Sequence, residues 1–315
     1  MVRVVVTGGA GFIGHHIVAK LVSLGHEVTV IDNLVRASPR GLATLKHLNV
    51  NTLRVDVTNY GAVHEALKGL RPNALVHAAA LIDVAESVEK PHTYMHVNAE
   101  GTAAVARAAV NAGVGRVIYL SSAAVYGVPQ YLPIDEEHPT KPISPYGASK
   151  LAGELALQSL RESLGKPEFI TLRLFNVYGP GQNPSSPYSG VITKFIHAVR
   201  EGKEIMIYGD GEQSRDFIHV EDVSEAVAKA LTTTEACVTL NIGTGTRTTI
   251  NELAKLVMSV AGRKVPVRHA PPRKGDVRHS VASVERARRV LGWEPRIGLV
   301  DGLRTLLEEA DTQHE

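Results

Sequence analysis

Thr7-Gly8-Gly9-Ala10-Gly11-Phe12-Ile13-Gly14 follows a short apolar run, Arg3–Thr7, and leads into a helix-like stretch, Phe12–Leu24. That context is what a phosphate-binding turn requires. Gly8 permits a tight turn, Gly11 lets the backbone approach a pyrophosphate, and Gly14 lets helix and strand pack closely, while the helix N-terminus faces the negative charge. Glycine spacing alone is weak evidence, but an acid also stands at the end of the next apolar run: Asp32, eighteen residues beyond Gly14. A carboxylate there accepts hydrogen bonds from adenosine ribose hydroxyls and repels a 2′-phosphate, which favours NAD over NADP. Arg36 is the counter-evidence, because a guanidinium folded back on this loop would pair with a phosphate.

Working outward, the apolar runs Arg3–Thr7, Glu27–Asp32, Thr52–Val55, Ala74–His77, Arg116–Ser121 and Phe169–Leu174 alternate with helical patterns over Phe12–Leu24, Ala62–Leu67, Thr93–Ala112 and Tyr146–Leu164. Continuous Val/Ile/Leu runs between crossover helices are the mark of strands buried on both faces, so the pattern predicts an α/β chain with a doubly wound parallel sheet. After Pro180 the texture changes to Gln182-Asn183-Pro184-Ser185-Ser186-Pro187, and a basic, proline-containing stretch follows at Pro271-Pro272-Arg273-Lys274. Val220–Leu231 and Ile250–Ala261 keep helical periodicity. This reading divides the chain into a dinucleotide-binding domain over 1–175 and a smaller mixed α/β lobe over 176–315, with some passages of the second returning to the first.

The 315 residues suffice for a sizeable core. A formal net charge of +2, from 34 Lys and Arg against 32 Asp and Glu, gives no general case for a nucleic-acid partner. The single cysteine, Cys237, excludes an intramolecular disulfide framework and a thiolate metal cluster. Met1-Val2-Arg3-Val4-Val5-Val6 is broken too soon by Gly8 to read as a secretory signal or membrane span. A soluble cytoplasmic protein with no membrane partner is expected, and no metal. His77, within His77-Ala78-Ala79-Ala80, reads as packed rather than ligating.

Tyr146-Gly147-Ala148-Ser149-Lys150 puts a phenol and an ammonium four residues apart, on one face of a helix. A phenol with an ordinary pKa of about 10 is a poor base at neutral pH, and a neighbouring positive charge favours its phenolate. That spacing alone is common by chance. Leu120-Ser121-Ser122-Ala123-Ala124-Val125-Tyr126-Gly127, at the end of the fifth apolar run, lifts it, because parallel sheets present ligand-contacting groups at strand C-termini. Ser122 is the candidate to hydrogen-bond a substrate oxygen beside Tyr146, whereas Ser121 reads as a strand-end hydroxyl satisfied by backbone.

With these motifs the chain resembles the extended short-chain dehydrogenase/reductases, and most of all the UDP-galactose 4-epimerases. The matching stretches include Asp32-Asn33-Leu34, Asp56-Val57, Glu86-Ser87-Val88-Glu89-Lys90-Pro91, Asn98 with Gly101-Thr102, and Arg173-Leu174-Phe175-Asn176-Val177-Tyr178-Gly179-Pro180. Further on come Tyr208-Gly209-Asp210-Gly211, Arg215-Asp216-Phe217-Ile218-His219-Val220, Asn241-Ile242-Gly243 and Arg273-Lys274-Gly275-Asp276. The resemblance implies a Rossmann-type domain with a substrate-binding lobe and tightly retained NAD. It places Gly8, Gly11, Phe12, Ile13, Gly14, Asp32, Asn33, Arg36, Asp56, Val57, Ala78, Ala79, Ala80, Asn98, Tyr146, Lys150 and Phe175 around the cofactor. By the same resemblance Tyr146 takes the proton of the sugar C4 hydroxyl, Ser122 assists, and Lys150 tunes Tyr146 and holds the nicotinamide ribose.

For the substrate, a UDP-sugar, the resemblance assigns Arg215 and Arg273 to the diphosphate with Asn176, Tyr208 to the base and ribose, Asp276 to ribose hydroxyls, Val191 to the site wall and Ser280 to the space around C2. It implies a homodimer through Thr93–Ala112 and Tyr146–Leu164, with Leu151, Leu155 and Ala103 in the seam. Ile82 departs from the galactose epimerases, which carry a lysine there near the cofactor. Related dehydratases and decarboxylating members have an acid directly before Val-Tyr-Gly. Here Ala123 and Ala124 stand instead, and a methyl group cannot transfer a proton. Epimerisation at C4 is therefore the leading reading. A 4-epimerase of UDP-glucuronate or UDP-N-acetylglucosamine, a 4-ketosugar reductase and a non-catalytic NAD-sensing scaffold are the alternatives.

Overall fold

Val4, Val5 and Val6 are each no more than 1% exposed, because both faces of their strand are covered. In the computed structural model, which describes residues 1–182, 190–272 and 275–312, the strands are β1 (Arg3–Thr7), β2 (Glu27–Asp32), β3 (Asn51–Arg54), β4 (Ala74–His77), β5 (Arg116–Ser122), β6 (Glu168–Leu174), β7 (Asn176–Tyr178), β8 (Ile205–Tyr208), β9 (Ser214–Arg215), β10 (Phe217–His219), β11 (Val238–Ile242), β12 (Thr248–Thr249) and β13 (Val267–Ala270). Seven form one parallel sheet in the order β11-β6-β5-β4-β1-β2-β3. Alternation along β1 assigns the faces. Val4 and Val6 join Ile17, Val18 and Leu21 of helix Phe12–Ser23 and Val223, Ala226 and Val227 of helix Val220–Thr232. Val5 joins Val63, Leu67, Val105, Ala109 and Leu157 from the helices of the opposite face. Each fully buried Val, Ile or Leu among them contributes roughly 1.5–3 kcal/mol.

The expected sheet strands are present to within one residue at their ends. Two findings differ from the sequence reading. β11 was not expected as a strand, and it pairs in parallel with β6 from Val238↔Ile170 to Ile242↔Leu174, returning the chain to the main sheet. The expected single helix Thr93–Ala112 is instead helix Pro91–Tyr94, a π-turn over Met95–Glu100 and helix Gly101–Asn111. The wider turn coincides with Asn98, whose amide is drawn inward to partners on other segments.

A third core cluster joins Phe195, Ile196, Ile205, Ile207, Phe217, Leu253, Val257 and Leu303. It holds helices Val191–Glu201 and Ile250–Val260 together with the parallel pair β8–β13. The carboxyl ends of β1, β4, β5 and β6 all open toward one edge of the main sheet, where ligands of parallel sheets bind.

Candidate active site

The turn after β1 is built by close approach. Gly8 has φ +70°, and a Cβ on it would lie 2.6 Å from both N and Cα of Ala79. A Cβ on Gly14 would lie 2.1 Å from the Gly8 carbonyl oxygen. Around Gly11, by contrast, only the Gly8 oxygen, at 3.3 Å, comes near, so its outer side is left open to a ligand. Phe12 and Ile13 are half-buried at the helix start, and Ala78, Ala79 and Ala80 run past the turn from the end of β4.

Asp32 closes the same loop, accepting from Ala10 N–H at 3.0 Å and Leu34 N–H at 2.8 Å. Asn33 donates to Asp56 at 2.8 Å. Burial pushes the Asp56 carboxyl up, but the bonds from Asn33 and Thr58 outweigh it and hold the group below its ordinary range. Val57 beside it is buried. Arg36 donates from Nη2 to both oxygens of Glu86, at 2.9 and 3.0 Å, and this buried carboxylate also accepts from Lys90 and the Tyr94 hydroxyl. The guanidinium is thus engaged by an acid of the chain, which weakens the case for a 2′-phosphate there.

Two residues expected at the cofactor have their polar groups engaged inside the protein. Asn98 is fully buried, with its amide donating to Leu81 O at 2.9 Å and Ser149 Oγ at 3.0 Å while its oxygen accepts from Leu81 N–H. It ties the cofactor-side loop to the helix that carries Lys150. Phe175 is buried in the main core, and its N–H donates to Ile242 O.

That helix, Pro145–Leu164, starts with Pro145 in its first turn and Ser144 as cap, the Ser144 hydroxyl accepting from Gly147 N–H. Two glycines press it onto β5 and the turn beyond. A Cβ on Gly147 would stand 2.5 Å from Ala124 O, and one on Gly153 2.4 Å from the Tyr119 hydroxyl. The approach brings Tyr146, half-buried, to Ser122. Burial pushes the phenol up, and the hydrogen bond with Ser122 partly opposes that. Lys150 is buried one turn on, with Nζ 4.3 Å from the centroid of the Tyr119 ring. Burial pushes the ammonium down to about 7, against the pull of Glu154. His77 is held between Thr7 and Thr102 hydroxyls at 2.7 and 2.9 Å, and burial, then the Lys150 charge, lowers it to about 3. Ser121 is not satisfied by backbone as expected: its hydroxyl donates to the buried Glu154 carboxylate.

On the lobe side, Asn176 is exposed at the start of β7, with its N–H bonded to Asp216 O. Arg215 donates to Asp276, and Ser280, half-buried, donates its N–H to Ser214 O. Tyr208 is 39% exposed, and Val191 begins its helix half-buried. Arg273 lies outside the described residues. The buried Asp216 carboxylate, quoted in the sequence without a role, accepts from Thr244 N–H and Oγ, Gly245 N–H and Ala282 N–H, so it fixes the Ser280–Ala282 passage against β9 and β10. Ala123 and Ala124 occupy the turn after Ser122, whose hydroxyl accepts from Ala124 N–H.

Residues 4–243 match the NAD dependent epimerase/dehydratase family. The chain belongs to that family. A UDP-glucose 4-epimerase of Mycolicibacterium smegmatis is 37% identical to this family member over 311 residues, 97% of each chain. Among solved structures, the UDP-glucose 4-epimerase of Thermotoga maritima with UDP-glucose superposes on it with a TM-score of 0.94, at 35% identity over 99% of this chain and all of that one. The UDP-N-acetylglucosamine 4-epimerase of Methanobrevibacter ruminantium in complex with UDP-N-acetylmuramic acid gives 0.93, at 35% identity over 99% of both.

The epimerase/dehydratase family member uses NAD, and its own residues fit that group. The open side of Gly11, the carboxylate of Asp32 and the engaged Arg36 suit a pyrophosphate and an unphosphorylated ribose. Ile82 is 62% exposed and offers the cofactor no charge. Among the described residues no group of three or more metal-ligating side chains occurs, and no helix is long and apolar enough to cross a membrane.

Proposed function

We propose that this protein interconverts UDP-galactose and UDP-glucose through a 4-keto intermediate. The observation that carries the reading is the meeting of Tyr146 with Ser122 above a buried Lys150, beside a turn of two alanines. Tyr146 takes the C4 hydroxyl proton and later returns it, and Ser122 orients the C4 oxygen. Lys150 holds the nicotinamide ribose and favours the phenolate when charged. NAD, held by the glycine turn, Asp32 and the Asp56 loop, supplies the reversible hydride acceptor at C4. With Ala123 and Ala124 in the turn, no acid stands there to relay protons at C5 or C6.

In this reading residues 176–315 form mainly the substrate lobe. Arg215, Arg273 and Asn176 hold the diphosphate, as guanidinium and amide donors suit. Tyr208 and Asp276 hold base and ribose, while Val191 and Ser280 bound the sugar. The protein works in the cytoplasm as a homodimer, with exposed Leu155 and half-buried Leu151 and Ala103 in the seam. The test is parallel incubation with UDP-galactose, UDP-glucuronate and UDP-N-acetylglucosamine, followed by chromatographic separation of epimers. UDP-glucose should form from UDP-galactose without added cofactor, and its absence overturns the assignment.

A further inference from the structure

Three sequence stretches quoted above contribute polar groups that the proposed chemistry leaves unused: Tyr126, Arg173 and Asn241. They meet in one buried chain. Ser121 Oγ at the end of β5 donates to Glu154 Oε1 on the catalytic helix. Arg173 of β6 donates from Nε and Nη2 to the two Glu154 oxygens, at 3.0 and 2.7 Å, and from Nη1 to the Tyr126 hydroxyl at 3.0 Å. Its guanidinium also lies 4.8 Å from the centroid of the Tyr126 ring. Tyr126 donates in turn to Asn241 Oδ1 at 2.6 Å, and Asn241 donates to Ile134 O and, from its backbone N–H, to Glu136. Glu154, Arg173, Tyr126 and Asn241 are all at most 8% exposed.

A buried ion pair is seldom an efficient source of stability, since apolar residues of equal volume commonly do as well. What this one has is position. Glu154 lies one helical turn beyond Lys150, so the two share a face of the helix. Ser121 is the residue before Ser122. The Ser121–Glu154 bond therefore joins the strand that carries Ser122 to the helix that carries Tyr146 and Lys150, and the ion pair ties that helix to β6.

We propose that Glu154, locked by Arg173 and Ser121, is a positioning residue: it sets the catalytic helix against the end of β5 and supplies the negative charge that the buried Lys150 faces. The groups around Lys150 are His77 from β4, Tyr119 from β5, and Tyr146 and Glu154 from its own helix. His77 is neutral near pH 7, with its pKa at about 3, and Tyr119 is an un-ionised phenol whose pKa is pushed up by burial. Glu154 is the carboxylate among them, and although it is paired with Arg173 it opposes the desolvation that drives Lys150 toward its neutral form. Arg173 and Ser121 hold that carboxylate in place. The inference rests on the epimerase reading only for its catalytic consequence.

The test compares wild type with Glu154→Gln and with the double variant Glu154→Gln/Arg173→Met, which leaves no unpaired guanidinium and guards against simple misfolding. Nitrogen-15 NMR follows the Lys150 ammonium, assigned by its loss in Lys150→Met, and needs no activity. In Glu154→Gln its titration midpoint should fall by about one pH unit, the size of shift loss of a nearby opposite charge produces, and in the double variant, which also removes the Arg173 charge, by less. In the same proteins kcat should drop about tenfold, with its alkaline limb moved to lower pH, while KM for UDP-galactose stays within about twofold, the pattern of an interaction acting on the transition state. A folded Glu154→Gln protein whose Lys150 titrates with wild type overturns the proposal. A wild type that titrates as described yet interconverts no sugar overturns the epimerase reading instead.

Discussion

Arg215 and Asp276 face each other as a hydrogen-bonded ion pair, although each is assigned a different part of the nucleotide to hold. In the proposed reading a diphosphate would compete with this carboxylate for the guanidinium. Burial lowers the Arg215 pKa, and Asp276 opposes that. Arg215→Met is therefore expected to raise KM for UDP-galactose by about 10- to 100-fold, the loss of one charged hydrogen bond of ~1.5–3 kcal/mol. Steady-state kinetics checks this. Unchanged KM with reduced kcat would remove Arg215 from the diphosphate site.

Tyr146→Phe deletes the proton acceptor and leaves the glycine turn intact. Interconversion should fall by ~10²–10⁴-fold while NAD remains bound, as the loss of a general base predicts. Cofactor released on denaturation gives the occupancy, and Lys150→Ala should show less NAD than Tyr146→Phe. A Tyr146→Phe rate above about a tenth of wild type contradicts the assigned role.

His77 links stability to pH. Its pKa is lowered from 6.5 to about 3, by burial and then by Lys150, so between those values the unfolded chain binds a proton that the folded one refuses. The stability from burying a neutral imidazole is thus fully present above about pH 6.5 and is lost as pH falls toward 3. His77→Gln removes this titration. The gap in melting temperature between wild type and variant should narrow steadily from pH 7 to pH 4, and a constant gap would show that the ring does not titrate across this window.

Ser280 is half-buried and tied by its N–H to Ser214 O, and in the proposed reading its small side chain would leave room beside the sugar. Weak turnover of UDP-N-acetylgalactosamine is expected beside UDP-galactose, because a buried amide group lacking partners costs on the order of 1–3 kcal/mol. Ser280→Tyr should abolish the N-acetyl activity and spare UDP-galactose. Equal loss on both substrates would place Ser280 outside this pocket.

Leu155 is 56% exposed on the Pro145–Leu164 helix, where the proposed dimer seam would cover it. Light scattering should give a dimer at micromolar concentration and a smaller mass for Leu155→Arg. A monomeric wild type refutes the seam.

What the sequence determined was local. Gly8 and Gly14 mark a turn because their own backbone geometry excludes a side chain, Tyr146 and Lys150 share a face because a helix has a fixed period, and Val4–Val6 read as a doubly covered strand from composition alone. What only the tertiary structure decided was which distant groups meet. Val238–Ile242 is a strand because β6 offers it an edge, and Thr93–Ala112 is broken because Asn98 turns inward to Leu81 and Ser149. Ser121 and Tyr126, Glu154, Arg173 and Asn241 come from four separate segments. No periodicity records that they share one hydrogen-bonded chain, because a buried polar group is specified by its partner across the core and not by its neighbours along the sequence.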